Sequence, residues 1–167
     1  MKKSSIIVLV FLLVLLPGCV DLQYAHLVQT NNTNIAVPKI IEAITARDID
    51  ALEAMMCLNI RQNVDNLSEK IGDMIGSIDR EIIETTRKKG TDISYSERRE
   101  DGRSMVQSGF TIFFTTTTGT FRVGGIWETA NNFAPEELGI RHIAVTNPDG
   151  IVLLIIEATE GVEEWHD

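Results

Sequence analysis

Near residue 79 the spacing of apolar residues changes from that of a helix to that of a strand, and this switch restricts the chain to few folds. Before it, Ile40, Ile41 and Ile44 form one apolar stripe. Ile49, Leu52, Met55 or Met56, and Ile60 then repeat at the three-and-four spacing of a helix with a single buried face. Asp48 stands between the two runs, where its carboxylate can accept backbone N–H groups as an N-cap. Asp65 is placed to cap a third helix carrying Leu67, Ile71, Met74, Ile75 and Ile78. Three amphipathic helices are therefore expected first.

After the switch the period is two. "REIIETTRK" and "DISYSER" read as strands with "KKGT" as the turn between them, and Asp101-Gly102 is a strong hairpin signal. "SGFTIFFTTTT" and "TFRVGGIWET" follow, joined at "TTGT", with Gly124-Gly125 read as a bulge that bends the sheet. A longer loop, "ANNFAPEEL", leads to "GIRHIAVTN" and a turn at Pro148-Asp149-Gly150. "IVLLIIEAT" is apolar on both faces, which predicts a buried strand or a final helix, and its Ile and Val content favours the strand. Helices followed by five or six antiparallel strands make an α+β order.

The N-terminus is organised differently. Lys2 and Lys3 precede an apolar run from Ile6 to Leu16 and a small-residue end at Pro17-Gly18-Cys19, the layout of a secretory signal. That run is about half the ~20 residues a spanning helix needs, so cleavage is the better reading. Leu16-Pro17-Gly18-Cys19 resembles a bacterial lipoprotein lipobox, with Pro17 the one departure from its usual pattern. The resemblance implies a signal over residues 1–18 and diacylation of Cys19 as the first mature residue. Two acyl chains anchor stably where one is marginal, at ~0.8 kcal/mol per buried methylene. Residues 19–37, including the aperiodic "QTNNTN", then form a tether, and residues 38–167 a single domain. A flexible tether of that length spans ~25 Å by random-coil scaling.

Charge bears on partners. Losing Lys2 and Lys3 with the signal takes the formal net charge from −9 to −11. So acidic a domain is a poor ligand for nucleic acid or for an anionic lipid surface. With Cys19 acylated, Cys57 has no partner for a disulfide and is expected as a buried thiol.

A second resemblance extends over residues 38–147. "IIEAITARDIDALEAMM" looks like the first helical pair of the nuclear transport factor 2-like superfamily. "NVDNLSEKIGDMIGSIDREI", the Gly102 turn, "FTTTTGTFRVGGIWET" and "LGIRHIAV" look like a family of Gram-positive lipoproteins of unknown function. This implies a cone in which a curved antiparallel sheet wraps three N-terminal helices around a pocket. It also implies dimerisation through the open sheet face, for which "FTIFFTTTT" and "FRVGGIW" are available.

Candidate site residues are few. His26, His142 and His166 each lack a second His or Cys at ligand spacing, so neither a metal nor another cofactor is expected. Neither a Ser-centred elbow nor a Gly-rich phosphate loop is present. Some enzymes of the resembled superfamily use an Asp or His in the cone as general base, and His142, Asp92 and Glu128 are the strand-borne candidates. Alternation places His142 with Ile140 and Ala144, opposite Arg141, Ile143 and Val145, and both faces are mixed. Glu128 beside Trp127 reads as a surface carboxylate within reach of Arg122 or Arg141 across strands. Trp127, Phe133 and Tyr95 are candidates to line a pocket or an interface. These observations point to a membrane-anchored, extracytoplasmic binding module for a protein or a small apolar ligand. The rival is a cone-pocket isomerase or cyclase with His142 or Asp92 as base.

Overall fold

Among the described residues four helices precede the sheet, because the second expected helix is cut in two by a competing backbone partner. The computed structural model describes residues 35–87, 94–98, 104–131, 135 and 138–157. Helix α1 covers residues 35–46 and already buries Ala36 and Val37, so the core begins inside the expected tether. Helix α2, Ile49–Ala54, is capped as expected: the Asp48 side chain accepts the Ala51 N–H at 2.9 Å. It stops there because Met56 forms a parallel bridge with Ile140, and the chain restarts as α3, Leu58–Asn63. Two bonds make the junction: Ile140 N–H donates to the Met55 carbonyl at 2.9 Å, and Cys57 N–H donates to the Ile140 carbonyl at 3.0 Å. Cys57 is a buried free thiol in the core.

Helix α4, Leu67–Ser77, begins one residue later than the expected cap allows. Asn66, not Asp65, is the N-cap, in a left-handed conformation and without a side-chain capping bond. At the other end Arg47 reaches across from the α1–α2 corner, donating to the Ile75 and Ile78 carbonyls at 2.9 and 2.7 Å. A long cationic side chain thus satisfies carbonyls that a helix C-terminus leaves open.

The strands are β1 (Ile82–Arg87), β2 (Ser94–Arg98), β3 (Ser104–Thr116), β4 (Gly119–Asn131), β5 (Gly139–Thr146) and β6 (Val152–Glu157). All pairings are antiparallel, in the order β1-β3-β4-β5-β6. The expected β1–β2 hairpin is not what forms. Both short strands lie end to end along one edge of β3, β1 against residues 112–116 and β2 against residues 104–108. β2 pairs with β3, with the Asp101-Gly102 turn outside the described residues, and the β3–β4 hairpin closes at the expected turn.

Helices and sheet share one core, in which Ile40, Ile44, Leu52, Ile60, Ile71 and Met74 meet Ile112, Phe114, Val123, Ile143 and Val145. Two glycines are required by close approach. Gly139 has φ +128° and would place a Cβ 2.6 Å from the Met55 carbonyl, at the junction just described. A Cβ on Gly125 would collide with the His142 carbonyl and lie 2.6 Å from the Phe110 ring. Gly125 is in regular register with Phe110 and Ile143, and the break expected at the Gly pair falls one residue on, between Ile126 and Trp127.

The final expectation is reversed in part. "IVLLIIEAT" does contain a strand, β6, but it is the terminal strand of the sheet and largely open: Ile151, Val152, Leu153 and Ile155 are 44–60 % exposed. Only Ile156 is fully in the core, with Leu154 packed against it.

Gly125→Ala and Gly139→Ala are each expected to destabilise the fold by about 1–3 kcal/mol through overpacking. Gly76→Ala in α4, whose Cβ would meet nothing within 4 Å, should instead stabilise by about 0.5–1 kcal/mol through helix propensity. Urea denaturation of the three variants checks the sign as well as the size. A neutral Gly139→Ala would mean the junction is looser than described.

Candidate functional site

Glu128 is the residue whose surroundings differ most from expectation. Read as a surface carboxylate, it is fully buried, at 0 % exposure. Burial of a carboxylate is costly unless donors replace water, and three do. Asn131 Nδ2 donates to Oε1 at 2.5 Å, Arg141 Nη1 donates to Oε2 at 2.9 Å, and Gln107 Nε2 donates to Oε2 at 3.4 Å. Arg141 and Glu128 form an ion pair in which the arginine side chain keeps 26 % of its surface.

The sheet assembles this group through one irregularity. Gln107 stands directly across from Glu128 in the β3–β4 register. Between β4 and β5 the register passes from Ile126↔His142 to Trp127↔Ile140, which leaves Arg141 as the extra residue of a bulge. A bulge re-aims a side chain, and this one sends Arg141 to Glu128. It also breaks the alternation expected for "GIRHIAV": Ile140 and Ile143 both reach the core, and His142 does not share Ile140's surroundings. Of the two arginines expected to reach Glu128, Arg141 does. Arg122 Nη2 instead donates to Thr146 Oγ1 at 3.4 Å.

The remaining candidates separate. His142 is half-buried, outside the core, with exposed Ile126 and Glu157 as its cross-strand neighbours. Such a position does not meet the geometry of a base at the bottom of an apolar cone. Trp127 is half-buried and packs against the core. Tyr95 lies on β2 in register with Gln107. Cys19, Asp92 and Phe133 lie outside the described residues. Among the described residues, no three His, Cys, Asp or Glu side chains are grouped to hold a metal ion.

Chemically, the cluster holds a cation in place. The carboxylate of Glu128 is engaged by three donors and shielded from solvent, which leaves little of it for proton transfer to a substrate. Its effect is to fix the guanidinium of Arg141, whose side chain stays partly exposed. A rigid guanidinium loses less entropy on engaging a planar anionic or polar group than a free one. Gln107 and Asn131 were not legible as members, since alternation assigns a face and not a partner.

Residues 39–149 match a family described as a domain of unknown function, DUF5104. No curated protein matches the chain.

Glu128→Ala removes the buried acceptor shared by Arg141, Asn131 and Gln107, and is expected to cost about 3–5 kcal/mol of stability. Gln107→Ala removes only the longest of the three bonds and should cost about 0.5–1.5 kcal/mol. Equal losses for the two variants in denaturant titrations would show that Glu128 does not organise the cluster.

Proposed function

Starting from the chain's membership of the DUF5104 family, we propose a lipid-anchored, extracytoplasmic binding module on a nuclear transport factor 2-like cone. The anchoring half rests on the sequence: a basic start, a short apolar run and Leu16-Pro17-Gly18-Cys19. No helix among the described residues is long and apolar enough to cross a membrane; in this reading attachment is through Cys19. An acidic domain on a tether stands away from anionic lipid, where a partner can reach it.

The binding half rests on one observation, the partly exposed guanidinium of Arg141 fixed by buried Glu128. Arginine is among the residue types enriched in interaction hot spots. A carboxylate or other planar anionic group on a ligand or on a protein surface fits that guanidinium. The helices against one face of the sheet support the cone, and the half-exposed position of His142 weighs against its use as a pocket base. Asp92 remains the residue on which an isomerase or cyclase reading would rest.

The anchor is tested by intact mass and membrane partition of the wild-type chain beside Cys19→Ala in a bacterial host. Wild type is expected to lose residues 1–18, gain acyl mass and sediment with membranes, while the variant does none of these. A full-length or unacylated wild type overturns the anchor. Binding is tested separately by thermal shift against a panel of apolar carboxylates. Ligands that stabilise wild type but not Arg141→Ala support the reading, and shifts indifferent to Arg141 refute it.

A further inference from the structure

The side-chain amide of Gln107 serves two acceptors. Its Nε2 donates to Glu128 Oε2 at 3.4 Å and to the thioether sulfur of Met105 at 3.5 Å. The amide carries two hydrogens, so both bonds are made at once. Met105 and Gln107 stand two residues apart on β3 and share one face of the sheet. Met105 is also in register with Asn131 on β4, a second donor to the same carboxylate. A methionine thus touches the network that holds a buried charge. Its exposure sets it apart from other methionines of the chain. Met56 and Met74 are buried in the core and Met55 packs against it, whereas Met105 is half-buried and outside that core. An oxidant reaches its sulfur most readily.

We propose that Met105 is a site of reversible oxidation by hydroperoxides, and that Gln107 transmits its state to Glu128. In the chemical step the sulfur attacks the peroxide O–O bond and keeps one oxygen as a sulfoxide. With hydrogen peroxide the other oxygen leaves as water, the sulfur losing two electrons and the peroxide gaining them. The product ends the existing contact whichever lone pair of the sulfur reacts. An oxygen added on the side of Gln107 needs ~2.9 Å from an amide nitrogen, and the whole separation of sulfur from Nε2 is 3.5 Å. An oxygen added on the other side leaves a sulfur with partial positive charge, which no longer accepts, and a strong new acceptor that draws the amide toward itself. A flexible apolar side chain has become a polar one. Of the three bonds to Glu128, that of Gln107 is the longest, so it is the one that yields. None of this requires a ligand at Arg141.

Treatment of the full chain with dilute hydrogen peroxide, followed by peptide mass mapping, tests this. Met105 is expected to take up one oxygen before Met55, Met56 or Met74. The singly oxidised protein should melt about 2–4 °C lower, the shift that one lost hydrogen bond gives a chain of this size. A methionine sulfoxide reductase should restore the original melting temperature. Met105→Leu, a swap that conserves volume, should show no such fall. Gln107→Ala should be oxidised at Met105 like wild type but lose little further stability, because the bond that transmits the change is already gone. Faster uptake at Met55 than at Met105, an oxidised wild type that melts unchanged, a fall that survives in Met105→Leu, or equal falls in wild type and Gln107→Ala would each overturn the proposal.

Discussion

Two backbone hydrogen bonds, from Ile140 N–H to Met55 and from Cys57 N–H to Ile140, join the helical half of this protein to its sheet. Each contributes only about 0.5–1.5 kcal/mol net, yet much of the structure follows from where they lie. They end α2 and begin α3, and they hold Ile140 in the core. They need a residue without a Cβ at 139, because the backbone of residues 55–57 passes directly over it. With Ile140 turned inward, the next core residue is Ile143, and two residues must fit where alternation allows one. The bulge at Arg141 absorbs the difference. The buried charge pair is in this sense a consequence of how the helices are stitched to β5.

That pair says more about register than about stability. A desolvated ion pair often adds little net free energy over an apolar pair of similar volume, whereas losing one partner is costly. A one-residue slip of β5 against β4 would move Arg141 to the other face and leave Glu128 buried without its cation. Gln107, on β3, aims at the same carboxylate and so penalises a slip of β3 against β4 instead. The cluster therefore penalises wrong pairings of the β4–β5 ladder more strongly than it lowers the energy of the right one.

How much of this was legible depends on whether the signal is local. The α+β order, the Asp48 cap, the hairpin at residues 117–118 and the turn at residues 148–150 were legible, because helix stripes, caps and tight turns are specified by neighbours in sequence. The break at residues 55–57 was not, since nothing in "LEAMMCLNI" announces that Ile140 competes for its backbone. The β1–β2 hairpin failed for a related reason: a Gly-containing turn between two strand-like runs is compatible with pairing, but both runs find a better edge on β3. Glu128 was misplaced because exposure was inferred from residue type, and a buried carboxylate becomes visible only with its donors. Asp79 accepts hydroxyl hydrogen bonds from Thr116 and Thr118, tying the end of the helical half to the β3–β4 turn, a contact no local pattern signals.

The sharing of β3 by β1 and β2 has a consequence in time. The chain is made from its N-terminus, so both short strands are complete before the strand that either pairs with exists. The helices can gather their local contacts early, but β1 and β2 have no template until β3 has been added, and β3 gains its other edge only with β4. Sheet formation thus starts from the middle of the chain and captures earlier segments backwards, a late, long-range closure of the kind that slows folding. During that interval the strand segments made first are the ones most open to wrong partners. A chain halted before Ser104 would hold all four helices and two strands, and no sheet to put them in.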